Sequence, residues 1–83
     1  MQQRIRDILS GLGGLSKPSD TIADGEDLFA LGLDSFGLVD LMVAIETEFG
    51  LEFPEAMLKR DTFKTVHNLA QAVSQLLEQR SLV

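Results

Sequence analysis

A chain of 83 residues, of which 45% are apolar and 24% charged, has the composition of one small globular domain with little room for a buried active-site cleft. Its formal charge of -6, from 13 acids against 7 bases, argues against nucleic-acid binding because a polyanion would be repelled. The lack of cysteine excludes disulfides and thiolate chemistry, and no apolar run reaches membrane-spanning length. We expect residues 1–83 to form a single, monomeric cytoplasmic domain without a signal peptide.

The first predicted element is an amphipathic helix at the N-terminus. Apolar residues spaced three and four apart between Ile5 and Leu12 predict it, and the glycine pair that follows ends it. From Leu15 to Asp34 the chain holds a proline and several turn formers without a sustained period. We therefore predict a long connection with a turn near residues 27–31, and long connections in small domains are often functional.

The second predicted helix begins at Asp34 or Ser35, both good N-cap residues, and ends near Phe49 at a glycine. At about 100° per residue, its apolar side chains fall on two opposite sides. The core side carries Leu38, Leu41, Met42, Ile45 and Phe49, and the other carries Phe36, Val39 and Val43. Asp40 borders this second stripe and Glu46 lies toward one edge, which is typical of a docking surface with an apolar centre and a polar rim. Packing of the stripe under the long connection or the next short helix is the alternative.

A short helical turn and a last helix complete the predicted architecture. Pro54 introduces the turn, which we predict over Glu55 to Lys59. Between Val66 and Leu77 the apolar spacing predicts one clean stripe on the last helix, and no strand pattern competes. The sequence therefore predicts an all-α fold: a small four-helix bundle of three longer helices plus one short helix, with a long connection between the first and second helices.

Ser35 lies where the first backbone N–H groups of the second helix lack intrahelical partners. These groups and the positive end of the helix dipole stabilise a phosphate, so the position suits a phosphorylated serine. An ordinary N-cap is the alternative, and helix physics alone favours it because serine and aspartate commonly cap unmodified helices.

Two other patterns lack residues that their chemistry requires. DTIADGED partly matches a calcium loop, but Ile22 and Leu31 stand where oxygen ligands are needed. A triad of Ser35, His67 and Asp34 would need a nucleophile elbow with a preceding strand, which the sequence does not contain. We therefore predict no catalytic residue and no metal site, and we assign His67 to the polar face of the last helix.

The stretch GLDSFGLVDLMVAIETEFGLEFP resembles the acyl carrier protein signature, in which an Asp-Ser-Leu-type motif opens an acidic helix that ends before a proline. The likeness extends over essentially all 83 residues. It implies that Ser35 is the attachment point of 4'-phosphopantetheine, which a phosphopantetheinyl transferase transfers from coenzyme A, and that cargo is carried as a thioester. It also implies that Asp34 contacts the transferase and is a candidate ligand of its Mg²⁺.

The resemblance further implies that the second helix recognises partner enzymes. The docking residues carried over from the family are Phe36, Val39, Asp40, Val43 and Glu46. This chain departs from fatty-acid carriers at Gly37, where those proteins commonly have an acid, and at Thr47, which interrupts the usual acidic run. The docking face is therefore expected to be less negative than theirs.

Two stretches, DTIADGEDLFALGLDSF and LEFPEAMLKRDTF, are most similar within the family to freestanding carriers loaded by ligases related to class II aminoacyl-tRNA synthetases. The implied protein is a non-catalytic carrier of an amino acid. Its implied partners are the transferase, a cargo-loading ligase or synthetase, and downstream acyl- or aminoacyl-transferring enzymes. A fatty-acyl or polyketide carrier and a cofactor-free helical interaction module are the alternatives. Because a small polar cargo needs no deep cavity, we expect the bundle to be filled by Phe36, Leu38, Met42, Phe63 and Leu69.

Overall fold

The structure is a computed structural model that describes the backbone of residues 1–81 and the side chains of residues 1–79. Its four helices are α1 (Gln2–Leu12), α2 (Ser35–Phe49), α3 (Arg60–Phe63) and α4 (Val66–Ser81). Short 3₁₀ turns at Ser19–Thr21 and Glu55–Met57 interrupt the connections. Residues 1–81 contain no strand, so the predicted all-α bundle of three longer helices and one short helix is confirmed.

The core is formed where α1 packs against α2 and α4, and where α3 packs against α4. The core stripe predicted for α2 is confirmed, because Leu41, Ile45 and Phe49 are buried and the remaining two members are half-buried. Apolar spacing of three and four residues places one face of each long helix toward this centre. The side chains with almost no exposed surface are Ile5, Leu9, Ile22, Leu28, Leu41, Ile45, Val66, Leu69 and Val73.

The connection between α1 and α2 is fixed to the bundle although it has little regular structure. The Leu31 N–H donates to the Asp27 carbonyl at 3.3 Å, which confirms the turn predicted there. The Leu28 N–H donates to the Lys64 carbonyl at 2.7 Å, and the Leu28 side chain is fully buried. The approach to α2 is therefore anchored to the segment between α3 and α4.

The short helix lies later in the chain than predicted. Glu55–Met57 forms only one 3₁₀ turn, and Lys59 is extended at φ -140° and ψ 157°. The prediction of a helical turn through Lys59 is therefore wrong at its C-terminal end. The reason is that Lys59 is the N-cap of α3, and a residue at that position normally has non-helical backbone angles.

An ion pair stabilises the middle of the connection. The Lys17 ammonium donates to Glu26 Oε1 at 2.6 Å, and the Ala23 N–H donates to the same oxygen at 2.8 Å. The Lys17 bond, followed by the Ala23 bond, holds the pKa of Glu26 below its ordinary value. A carboxylate whose native pKa is lowered stabilises the fold above its unfolded pKa, and this stabilisation is lost as the pH falls through the native pKa.

We therefore expect Glu26→Gln to lower the free energy of unfolding at neutral pH. Below the native pKa of Glu26 the variant should match the wild type, because both side chains are then uncharged. Urea denaturation at the two pH values measures the difference. Glu52→Gln, which removes an exposed carboxylate without a described partner, is the control and should show no such pH-dependent difference. An equal loss for Glu26→Gln at both pH values would contradict the ion-pair origin.

Candidate functional site

The N-terminus of α2 is capped by Asp34 and not by Ser35. Asp34 has extended backbone angles, and its Oδ1 accepts a hydrogen bond from the Gly37 N–H at 2.8 Å. The Leu38 N–H donates to the Asp34 carbonyl, also at 2.8 Å. Of the two start positions that the sequence allowed, the structure therefore makes Asp34 the cap and Ser35 the first helical residue. The interpretation of Ser35 as an ordinary N-cap is wrong because Asp34 already fills that role.

The Ser35 side chain is exposed and its hydroxyl forms no hydrogen bond with any residue of the described part of the chain. The N–H groups of Ser35 and Phe36 also lack an acceptor within residues 1–81, as expected for the first turn of a helix. A phosphate attached to this hydroxyl would lie at the positive end of the helix dipole, beside two N–H donors. The local geometry therefore fits a phosphodiester on Ser35.

The Asp34 cap gives a direct test of what this residue does. We expect Asp34→Ala to lower the free energy of unfolding by about 1 kcal/mol, because the Gly37 N–H loses its acceptor. Asp34→Asn should retain most of the stability, since asparagine caps helices about as well as aspartate. Chemical denaturation measures both variants. A loss of stability in Asp34→Asn as large as in Asp34→Ala would contradict the cap as the source of this stability.

An open groove of about 480 Å³ runs beside Ser35. One side is formed by α2, including Leu38 and Met42, and another by the segment that leads into α3. The guanidinium of Arg60 lies over the ring of Phe29, 3.9 Å from its centroid. The residues lining the groove are Phe29, Leu33, Asp34, Ser35, Leu38, Val39, Met42, Leu58, Lys59, Arg60 and Phe63.

Four of the five side chains expected to fill the bundle are buried or half-buried, and one is exposed. Phe63 and Leu69 are buried in the core, as predicted, and Leu38 and Met42 are half-buried along the groove. The prediction that Phe36 also fills the bundle is wrong, because 83% of this residue is exposed. Its position on α2 is opposite the core stripe, so a helical backbone directs its side chain away from the bundle.

The second apolar stripe of α2 is exposed. Val39 and Val43 are 54% and 50% exposed, and Phe36 and Asp40 are exposed beside them. The alternative, in which the connection or the short helix covers this stripe, is therefore excluded. Glu46 differs from its neighbours, because it is half-buried and its Oε2 accepts a hydrogen bond from the Phe53 N–H at 2.9 Å.

The residues that face α2 across the groove are not apparent from the sequence. Leu58 and Lys59 fall at the end of the turn predicted over Glu55 to Lys59, and Arg60, which begins α3, follows it outside any predicted helix. Their only signal is local: an apolar residue followed by two bases in an otherwise acidic chain.

Neither a metal centre nor a membrane span is found in the part of the chain that the structure describes. Within it, no group of three or more histidine, aspartate or glutamate side chains is arranged to hold a metal ion. None of its helices combines the length and the apolar character needed to cross a membrane.

Comparisons with known proteins agree on one family. The family model described as "Phosphopantetheine attachment site" matches residues 3–73. The aminoacyl carrier protein of Agrobacterium fabrum is 44% identical over 78 residues, which are 94% of each chain.

Solved structures give the same result. One contains an engineered Bradyrhizobium japonicum glycine:[carrier protein] ligase with a carrier protein from Agrobacterium tumefaciens and AMP. That carrier is 44% identical, with a TM-score of 0.85 over 89% of this chain and 99% of its own. The holo acyl carrier protein of Nitrosomonas europaea is 25% identical, with a TM-score of 0.82 over 93% and 95% of the two chains.

Proposed function

Because this chain belongs to the carrier proteins with a phosphopantetheine attachment site, we propose that Ser35 is the residue that carries the 4'-phosphopantetheine arm. The observation that supports this most directly is the exposed Ser35 hydroxyl, unpartnered within residues 1–81, at the N-terminus of α2. In the transfer, the hydroxyl oxygen bonds to the phosphorus that carries the pantetheine of coenzyme A, the pyrophosphate bond at that phosphorus breaks, 3',5'-ADP leaves, and the hydroxyl proton is lost. Once attached, the arm supplies the thiol that holds the cargo, which a chain without cysteine cannot itself provide.

The protein is a carrier and is not itself a catalyst. Its residues hold the attachment point in place: Asp34 caps the helix, and the N–H groups of Ser35 and Phe36, which have no acceptor within residues 1–81, are available to a phosphate on Ser35. We propose that Asp34 also contacts the phosphopantetheinyl transferase and its Mg²⁺. We place this reaction in the cytoplasm, where coenzyme A is available to the transferase.

We further propose that the cargo is an amino acid, loaded by a ligase and passed to a downstream transferring enzyme. Support comes from the identity of 44% with an aminoacyl carrier protein over nearly the whole chain. It also comes from the similar Agrobacterium carrier, whose structure was solved with a glycine:[carrier protein] ligase. Glycine is therefore the first cargo to test.

The loading assay uses the engineered Bradyrhizobium ligase as its probe. The chain is first converted to the holo form with a phosphopantetheinyl transferase and coenzyme A, and is then incubated with the ligase, glycine and ATP. Intact-mass analysis should show the addition of one glycyl group, removable by hydroxylamine. A parallel reaction with an acyl-carrier-protein synthetase and long-chain fatty acids is the comparison. Loading by the synthetase alone would overturn the aminoacyl assignment.

The exposed side of α2 is the proposed docking face for the loading ligase. It consists of Phe36, Val39, Asp40, Val43 and Glu46, which we name the α2 face. For Glu46 the proposal concerns Oε1, because Oε2 already accepts the Phe53 N–H. Phe36 is its largest exposed apolar side chain, and an aromatic anchor that becomes buried in a partner commonly dominates binding.

Phe36→Ala should therefore reduce kcat/KM for ligase loading by about 30-fold. The estimate follows from burial of a phenylalanine side chain, worth about 2 kcal/mol, with each 1.4 kcal/mol giving about tenfold. Phe36→Leu retains a large apolar side chain and should lose much less. The free energy of unfolding should be nearly unchanged in both, because residue 36 is exposed. Loading of Phe36→Ala at the wild-type rate would exclude residue 36 from the ligase interface.

A further inference from the structure

The basic residues of this chain fall into two groups. In the N-terminal half, each base forms an ion pair with a carboxylate. After α2, the three bases whose side chains are described have no carboxylate within ion-pair distance in the described part of the chain, although the protein has 13 acids. The pairs are Arg4 with Glu48, Arg6 with Asp24, and Lys17 with Glu26, and the unpaired bases are Lys59, Arg60 and Lys64.

Two of the unpaired bases lie in the groove beside Ser35. Lys59 and Arg60, which we name the basic edge, line the groove beside Ser35, whereas Lys64 does not. The backbone that presents them has a defined conformation. The Leu58 N–H donates to the Glu55 carbonyl at 3.0 Å, and the Lys59 N–H donates to the Met57 carbonyl at 2.9 Å. The backbone that leads into the basic edge is therefore held by hydrogen bonds, and both of its residues are exposed.

Apolar surface connects the basic edge to the α2 face. Leu58 is 49% exposed and lines the same groove as Val39, which belongs to the α2 face. Of the five large, exposed apolar side chains in residues 1–79, Val39 and Leu58 line this groove, and Phe36 and Val43 belong to the adjoining α2 face. Asp40 is exposed on α2 and does not line the groove, so it borders the apolar stripe on the side away from the groove, whereas Lys59 and Arg60 line the groove.

We propose that the loading ligase contacts the α2 face and the basic edge together, and that a carboxylate of the ligase lies opposite Lys59. This inference rests on the proposed function. A surface with an acid on one border and bases on the other is complementary to a partner that has a base opposite the acid and an acid opposite the bases. If the carrier docked in the reversed orientation, charges of the same sign would face each other. The two-signed border therefore fixes the orientation in which Ser35 reaches the ligase.

The phosphate of the arm is the other anion that the basic edge could meet. On Ser35, that phosphate would accept hydrogen bonds from the N–H groups of Ser35 and Phe36 at the positive end of α2, which have no other acceptor within residues 1–81. The basic edge is therefore available to a carboxylate from outside the chain. The apo protein, which has no phosphate, separates the two anions experimentally.

The test measures the dissociation constant of the engineered Bradyrhizobium ligase for the apo and holo forms of each variant. We expect Lys59→Glu to weaken binding about tenfold in both forms, with a smaller effect at high salt because the charges lie at the border of the interface. Lys59→Gln should give a smaller loss of the same kind. Lys64→Glu is the matched control: it makes the same change of charge outside the groove and should bind nearly as the wild type.

Each other outcome contradicts the proposal. Unchanged binding of Lys59→Glu in both forms would overturn the proposed contact between Lys59 and the ligase. If Phe36→Ala bound weakly in the same experiment, docking through the α2 face would still be supported. A loss confined to the holo form would assign Lys59 to the arm's phosphate. An equal loss in Lys64→Glu would show a general effect of net charge. Absence of wild-type binding would overturn the ligase assignment and this inference together. Circular dichroism of each exposed-site variant confirms that the helices are retained.

Discussion

Ser35→Ala is expected to abolish attachment of the phosphopantetheine arm and, with it, all loading of cargo. The variant retains the backbone of α2 but has no hydroxyl oxygen to attack the phosphorus of coenzyme A. Its free energy of unfolding should change by less than about 0.5 kcal/mol, because Ser35 is exposed and its hydroxyl forms no hydrogen bond within the described residues. Intact-mass analysis after incubation with transferase and coenzyme A measures the loss.

Ser74→Ala is the matched control for this experiment. Ser74 is an exposed serine on α4, so the substitution removes the same atom at a distance from the groove. This variant should be modified completely. Attachment of the arm to Ser35→Ala would show that another residue is the acceptor, and the site would have to be reassigned.

Gly32→Ala should give a large loss of stability, by about 3 kcal/mol. Gly32 has φ +113°, a conformation that side-chain-bearing residues rarely adopt, and a Cβ there would lie 2.7 Å from the Gly14 carbonyl oxygen. Backbone strain of this kind is worth about 1–3 kcal/mol, and the contact with backbone adds to it because a backbone oxygen cannot simply rotate away. Urea denaturation measures the change.

Gly11→Ala provides the opposite expectation for the same substitution. Gly11 lies within α1, and a Cβ at this position would have no neighbour within 4 Å. Alanine should therefore raise the free energy of unfolding by up to about 1 kcal/mol through its higher helix propensity. A Gly32→Ala variant as stable as the wild type would contradict the close packing of the two glycines. Since Gly32 lies just before Asp34 and Ser35, that packing also positions the start of α2.

Local patterns in the sequence were sufficient to predict the three longer helices, α1, α2 and α4. The two stripes of α2 follow from a period of about 100° per residue, and Gly50 ends the helix with φ 64°, which glycine adopts readily. The role of Ser35 depended on the surrounding motif, because a serine at a helix start is ordinary. The predicted helical turn over Glu55 to Lys59 was wrong at its C-terminal end, because a 3₁₀ turn and the cap of α3 both fit that stretch.

The sequence by itself determined the helical fold, the two-sided character of α2 and the motif around Ser35, because capping and periodicity depend on residues within a few positions of one another. Only the tertiary structure decided which stripe was uncovered and what faced it. The groove joins α2 to Leu58, Lys59 and Arg60, which are distant from Ser35 in sequence. Their approach depends on burial of the helices around a common core, and a spacing pattern along one segment contains no information about its neighbour across that core.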